Sequence, residues 1–190
     1  MDSVENIVNE IRNGHVEKYE ILIEKYQKQL YRYIYYMVGD VHEAEDILQE
    51  VFLKAYEKVN SYEIANSFSA WLYKIAYNQS INFIRKRNII KFVDKFDFNK
   101  VIEKNSCTDI HIDNGFDKNI EIVLSRLTPN EKNLLILRIF EDKSYEEIGI
   151  IFNKKSATVR KKYERARKKF QKYYEGIGGG ENIEKYETGI

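Results

Sequence analysis

Ser144-Tyr145-Glu146-Glu147-Ile148-Gly149-Ile150-Ile151-Phe152-Asn153-Lys154-Lys155-Ser156-Ala157-Thr158-Val159-Arg160-Lys161-Lys162 is the stretch that decides the fold. A serine followed three residues later by a glutamate is a capping box, so it opens a helix. Ile148, Ile151 and Phe152 then give that short helix one apolar side. Asn153 follows, and asparagine tolerates the left-handed backbone of a tight turn. Ser156 is expected to cap a second helix that runs towards Tyr174. A short capped helix, a tight turn and a longer helix make a helix-turn-helix, whose second helix enters the major groove with its first residues at base edges. Gly149 costs the first helix about 1 kcal/mol relative to alanine, and the expected return is close approach of the two helices.

The second helix is strongly basic. Lys154 to Lys172 contains ten Lys/Arg and one acid, Glu164. Ala157, Thr158, Arg160 and Lys161 fall where base edges are met. Lys162, Arg165, Arg167, Lys168 and Lys169 lie further along and suit phosphates, which position a protein without specifying a sequence. A run of Lys and Arg is also what an ordinary solvated helix face looks like, but the turn and two capping boxes favour DNA. The second capping box is upstream: Thr128-Pro129-Asn130-Glu131 places Thr as N-cap, Pro at the first helical position and Glu three after the cap. Leu134, Leu135, Leu137 and Phe140 supply its apolar surface.

Outward from this motif the chain remains helical in character. Of 190 residues, 43% are apolar, one is proline and nine are glycine, four of them between Gly176 and Gly180. So few helix breakers in the body point to an all-α fold. The single cysteine, Cys107, excludes an internal disulfide framework and a multi-Cys metal site. No apolar run approaches the ~20 residues that span a bilayer, and the acidic start is unlike a signal peptide, so a cytoplasmic setting without membrane insertion is expected.

The net charge of +1 conceals a polarity, because residues 1–60 hold twelve acids against seven Lys/Arg. A nucleic-acid contact near the C-terminus and a different kind of contact near the N-terminus are therefore expected.

The N-terminal block shows three amphipathic patterns. The first runs from Val16 to Val38 and breaks at Gly39-Asp40. The second carries Ile47, Leu48, Val51, Phe52, Ala55 and Val59. The third begins near Ser67, carries Phe68, Trp71, Leu72, Ile75, Ala76, Ile81 and Ile84, and ends in Arg85-Lys86-Arg87. Three such helices should pack as a bundle.

Asp46, Gln49, Glu50 and Leu53 follow i, i+3, i+4, i+7 spacing and share one stripe. That stripe suits a basic, partly apolar partner helix better than DNA, whose phosphates would repel it; a plain solvated face is the alternative. The third helix mixes aromatics (Phe68, Tyr73, Tyr77, Phe83) with Asn78, Gln79 and Asn82, as proteins that hold single-stranded nucleic acid do. Trp71 reads as core. Residues 88–118 lose periodicity and read as a linker.

With these residues in place the chain resembles the extracytoplasmic-function (ECF) sigma factors over residues 16–174. Tyr31-Arg32-Tyr33, Gly39-Asp40 and Ala44 through Tyr56 are similar to the family's polymerase-binding helix pair, and Phe68 through Asn78 to its minus-ten-reading helix. Leu127-Thr128-Pro129, Leu137-Arg138, Ser144 through Ile148, Thr158-Val159-Arg160 and Arg165-Ala166-Arg167 look like its minus-thirty-five domain.

The resemblance implies a minus-ten domain at 1–95, a linker at 96–118, a minus-thirty-five domain at 119–175 and a flexible tail at 176–190. It implies that Asp46, Gln49, Glu50 and Leu53 bind core RNA polymerase, and that Ser61, Asn66, Ser67, Asn78, Asn82, Arg85, Lys86 and Arg87 serve the minus-ten element. A base would be extruded from the opened strand, at a cost of a few kcal/mol. Ser156, Ala157, Thr158, Arg160, Lys161, Lys162, Arg165 and Arg167 would serve the minus-thirty-five element.

The implied partners are core RNA polymerase, promoter DNA and an anti-sigma factor, for a protein that is monomeric when free and uses no cofactor, metal or catalytic residue. Two departures stand out: Asn153 replaces a usual glycine, and Gly149 replaces a commoner alanine, which predicts a slightly less stable second domain. The alternative is a stand-alone helix-turn-helix regulator, which leaves the acidic stripe and the Trp71 helix unexplained. An enzyme is disfavoured, since His15, His42 and His111 lie in unrelated contexts and no phosphate loop or nucleophile elbow appears.

Overall fold

A computed structural model of the chain describes residues 3–63, 67–94 and 118–177. Every regular element among them is helical. The first half holds α1 (Val4–Arg12), α2 (Tyr19–Val38), α3 (Val41–Glu57) and α4 (Phe68–Asp94), with short 3-10 turns at Val16–Lys18 and Val59–Ser61. The second half holds α5 (Lys118–Ser125), α6 (Pro129–Leu135), α7 (Tyr145–Phe152) and α8 (Ser156–Glu175). The chain is therefore all-α, an N-terminal bundle followed by a helix-turn-helix. The expected linker at 96–118 and tail at 176–190 lie almost wholly outside the described residues.

Local chemistry places most boundaries. Gly39 is left-handed at φ 75° and its N–H closes α2 on the Tyr35 carbonyl at 2.7 Å. Asp40 then caps α3 by accepting from the Glu43 N–H. Both capping boxes form reciprocally, Thr128 with Glu131 and Ser144 with Glu147. The bundle core is the inner stripe of three helices: Leu22, Leu30 and Ile34 of α2, Val51 and Ala55 of α3, Leu72 and Ala76 of α4 are all buried.

Four features depart from the sequence reading. Helix α1 was not anticipated; Ser3 accepts from the Asn6 N–H to cap it, and it buries Ile7, Val8 and Ile11 against the bundle. Helix α4 runs past the basic patch to Asp94.

Ser156 does not cap α8. Lys155 occupies that position with no side-chain cap, and Ser156 is the first helical residue. The Lys155 carbonyl already accepts from the Thr158 and Val159 N–H groups at 2.9 and 3.1 Å, so the helix begins one residue earlier. Gly149, finally, is required by the turn rather than by the second helix. A Cβ there would lie 2.6 Å from the Lys154 carbonyl oxygen, whose residue also donates its N–H to the Gly149 carbonyl at 2.8 Å. Alanine would force that backbone apart, so the expected loss of stability from glycine is reversed in this chain.

The two halves pack on one another, α4 against α7 and α2 against α6. Between α6 and α7 the chain makes a π turn, Ile136–Phe140, a rare form that inserts a residue into the helical ladder and occurs often at functional sites. Glu141 follows at once. Its side chain is 2% exposed, and it accepts from Arg32 Nη2 at 2.8 Å, Arg32 Nε at 3.0 Å and the Tyr73 hydroxyl at 2.5 Å. Around it Tyr33 donates to Asn133 Oδ1 at 2.8 Å and Tyr77 to Asn130 Oδ1 at 2.6 Å, while Lys132 Nζ donates to the Met37 carbonyl at 3.1 Å.

Candidate nucleic-acid interface

Helix α7, Asn153 and helix α8 form the helix-turn-helix. Asn153 is left-handed at φ 52°, as the tight turn requires. Val159, Ala166 and Tyr174 anchor α8 inward. That leaves Ala157, Thr158, Arg160, Lys161, Lys162 and Arg165 exposed on the outer side, with Ser156 and Arg167 half-buried. Lys169 belongs to the structure rather than to this surface, because it pairs with Glu131 of α6 at 2.9 Å. A feature not visible in the spacing is the Tyr145 ring, which meets two guanidinium groups: Arg138 Cζ lies 5.3 Å and Arg160 Cζ 5.2 Å from its centroid.

On α4, Asn78, Asn82, Arg85, Lys86 and Arg87 are exposed. The two amides share a side, one helical turn apart; Arg85 and Lys86 lie one turn further on, whereas Arg87 points away and donates to the Val38 carbonyl at 3.5 Å. Tyr73 and Tyr77 of the same helix do not join them: Tyr73 is buried under Glu141, and Tyr77 packs on Phe152 with ring centroids 5.2 Å apart. Burial pushes the Tyr73 hydroxyl well up, and the Glu141 charge beside it adds to the effect. Trp71 is half-buried between Tyr62 and Phe68 at 5.3 and 5.4 Å, a core position.

Ser61 donates to the Lys58 carbonyl at 2.7 Å, and Ser67 accepts from the Ala70 N–H at the start of α4. Asn66 lies outside the described residues. Arg12 of α1 ties down the chain just before that segment. It donates to the Val59 carbonyl at 2.8 and 3.1 Å and also to the Tyr62 carbonyl. The cap at Ser3 and the apolar trio Ile7, Val8 and Ile11 are the signals by which α1 was findable.

The acidic stripe of α3 faces away from the bundle core. Asp46, Gln49 and Glu50 are exposed, and Leu53 is 56% exposed, a large apolar side chain left in water between charges. Glu50 pairs with Lys54 at 2.6 Å and accepts from Gln79 at 3.2 Å. The Lys54 ammonium holds its carboxyl below the usual carboxylate range. Among the described residues no group of three or more His, Cys, Asp or Glu is arranged to hold a metal ion, and no helix is long and apolar enough to cross a membrane.

Residues 22–89 match the family model of Sigma-70 region 2, and residues 118–170 that of Sigma-70 region 4. The RNA polymerase sigma factor SigV of Bacillus subtilis is 30% identical over 146 residues, which cover 77% of this chain and 84% of SigV. The ECF RNA polymerase sigma factor SigW of the same organism is 28% identical over 178 residues, covering 87% and 93%. The chain belongs to the ECF sigma factors.

Two solved structures share the fold of this sigma factor. CnrH, in complex with the cytosolic domain of CnrY, is similar with a TM-score of 0.69 at 15% identity, over 92% of this chain and 99% of CnrH. The sigma factor RpoE from Bartonella quintana, in complex with the anti-sigma factor NepR, has a TM-score of 0.65 at 21% identity, over 84% and 98%. As a sigma factor the protein binds core RNA polymerase and directs promoter-specific initiation of transcription.

Proposed function

We propose that this sigma factor divides its work among three surfaces, carried by one observation: the outward side of α8 is basic along its length, whereas the outward side of α3 is acidic with Leu53 exposed at the end of the stripe. Asp46, Gln49, Glu50 and Leu53 dock on a basic, partly apolar helical element of the polymerase. Charge complementarity steers that encounter, and Leu53 adds apolar area beside the charges. Asn78 and Asn82 meet bases of the opened minus-ten strand, and Arg85, Lys86 and Arg87 track its backbone; Ser61, Asn66 and Ser67 serve the same element. Ala157, Thr158, Arg160 and Lys161 read the duplex minus-thirty-five element, with Ser156 at the helix start and Lys162, Arg165 and Arg167 on phosphates.

The protein works in the cytoplasm, performs no covalent chemistry itself, and is held inactive by an anti-sigma factor. That last reading is supported by the similarity to RpoE, solved with its anti-sigma factor NepR. Multi-round transcription in vitro, with core polymerase and the promoter of the protein's own operon, tests the assignment. Asp46→Ala should weaken binding to core polymerase with the fold intact, and unchanged affinity would remove α3 from the docking surface.

A further inference from the structure

Arg160 is the first cation within α8 and is exposed, near the helix start where base edges are met. A free arginine side chain samples many rotamers, and ordering it on a base costs entropy at the moment of binding. In this protein it already has a partner on the neighbouring helix. Its guanidinium carbon sits 5.2 Å from the centroid of the Tyr145 ring, within cation–π range.

The ring is itself held. Tyr145 is the first residue of α7, directly after Ser144, and the capping box with Glu147 fixes the backbone there through bonds of 2.8 and 3.1 Å. Tyr163, one turn along α8 from Arg160, meets the Tyr145 ring edge-on at 5.8 Å and 62°. Arg138 lies 5.3 Å from the same ring, half-buried, and donates to the Lys143 carbonyl at 3.4 Å. The ring is thus fixed by its capped backbone and two neighbours, Tyr163 and Arg138, and Arg160 is the exposed group that it orients.

We propose that Tyr145 is a positioning residue for recognition of the minus-thirty-five element: its ring holds the Arg160 guanidinium at the entrance of the major groove. An arginine held through the face of its guanidinium keeps the in-plane N–H donors free. Those donors are the ones that pair bidentately with O6 and N7 of a guanine. The residue pair spans both helices of the motif, so the geometry of the turn sets where the arginine points. This rests on the reading of α8 as the element that meets the minus-thirty-five bases. It concerns the ring face and not the Tyr145 hydroxyl.

The test is transcription in vitro with the full chain and core polymerase, on a promoter panel in which each minus-thirty-five base pair is changed in turn. Wild type is compared with Arg160→Ala, Tyr145→Phe, Tyr145→Met and the double variant Tyr145→Met/Arg160→Ala. Arg160→Ala should flatten base preference at one position. Tyr145→Met should lower discrimination at that same position about two- to five-fold, the range of an exposed cation–π contact, and leave the other positions unchanged. Tyr145→Phe should behave as wild type. The double variant should discriminate no worse than Arg160→Ala alone.

Equal loss at every position with a lowered melting temperature would mean that Tyr145 only supports the fold, and would overturn the proposal. Failure of Tyr145→Phe would also overturn it. If Tyr145→Met does not fold, the ring-current shift of the Arg160 side-chain N–H in wild type and Tyr145→Phe decides: its absence removes the contact in solution. Should Arg160→Ala change no base preference while promoter use stays intact, the reading of α8 itself fails, and that result is distinct from loss of the Tyr145 effect alone.

Discussion

The seams inside the N-terminal bundle and the seam between the two halves are built from different materials. Within the bundle, α2, α3 and α4 meet through Leu22, Leu30, Ile34, Val51, Ala55, Leu72 and Ala76, and area removed from water holds them. Between the halves, ring contacts of Tyr77 with Phe152 and Tyr36 with Phe140 are joined by named polar atoms: Glu141 with Arg32 and Tyr73, Asn133 with Tyr33, Asn130 with Tyr77, and Lys132 with the Met37 carbonyl.

An apolar seam degrades gradually as methylenes are removed. A polar seam depends on every partner being present, because an orphaned buried donor or acceptor carries its full desolvation cost. The difference teaches that the seam between the halves of this sigma factor depends on specific polar partners beside its ring contacts, and is open to single-atom disruption.

The largest expected effect lies inside the bundle. Leu30→Ala should cost about 2–5 kcal/mol, the range for a fully buried leucine, and thermal melting would show it. That variant should keep the two halves together. Glu141→Ala should do the reverse. It leaves the Tyr73 hydroxyl and the Arg32 guanidinium without their carboxylate, at about 1–3 kcal/mol, less than for a fully buried pair because Arg32 is 43% exposed. The radius of gyration from small-angle scattering should rise while the helix content stays. Unchanged dimensions would break the comparison, because the seam would then be held by its ring contacts alone.

Tyr33→Phe should cost about 1 kcal/mol. It removes one hydroxyl and leaves Asn133 Oδ1 without its donor, in a residue whose Nδ2 already has no hydrogen-bond partner among the described residues. A cost below measurement would show that water reaches Asn133.

The smallest effect is a pH dependence. Burial pulls the Lys132 ammonium down to about 8, although the Glu121 charge pulls the other way. Below that value both the folded and the unfolded chain carry the proton, and the burial penalty is present in full. As pH rises from about 8 towards the ordinary lysine value, the folded chain loses its proton first and the penalty is relieved. Any stability advantage of Lys132→Met over wild type should therefore be largest below pH 8 and shrink above it, as melting temperatures of the two proteins between pH 7 and 9.5 would show. A constant difference would mean that Lys132 is solvated.

Sequence alone determined what depends on neighbours three or four residues apart. The capping boxes at Thr128 and Ser144, the break at Gly39-Asp40 and the left-handed turn at Asn153 are each complete within one short segment, and all four form as read. The separation of Asp46, Gln49, Glu50 and Leu53 from the bundle core follows from helical spacing for the same reason. Helix α1 was equally legible, since its cap and apolar trio stand in plain order.

Only the tertiary structure decided where a local preference was overruled or where distant segments met. Ser156 lost its capping role because α8 begins one residue earlier, at the Lys155 carbonyl, and Gly149 proved necessary because the turn folds back on it. Tyr33 and Asn133 are 100 residues apart, and Arg32 and Glu141 are 109 apart. Arg160 stands on a different helix from the ring of Tyr145. No periodicity within one segment encodes such pairs, because their geometry exists only once two separately legible units have packed against each other.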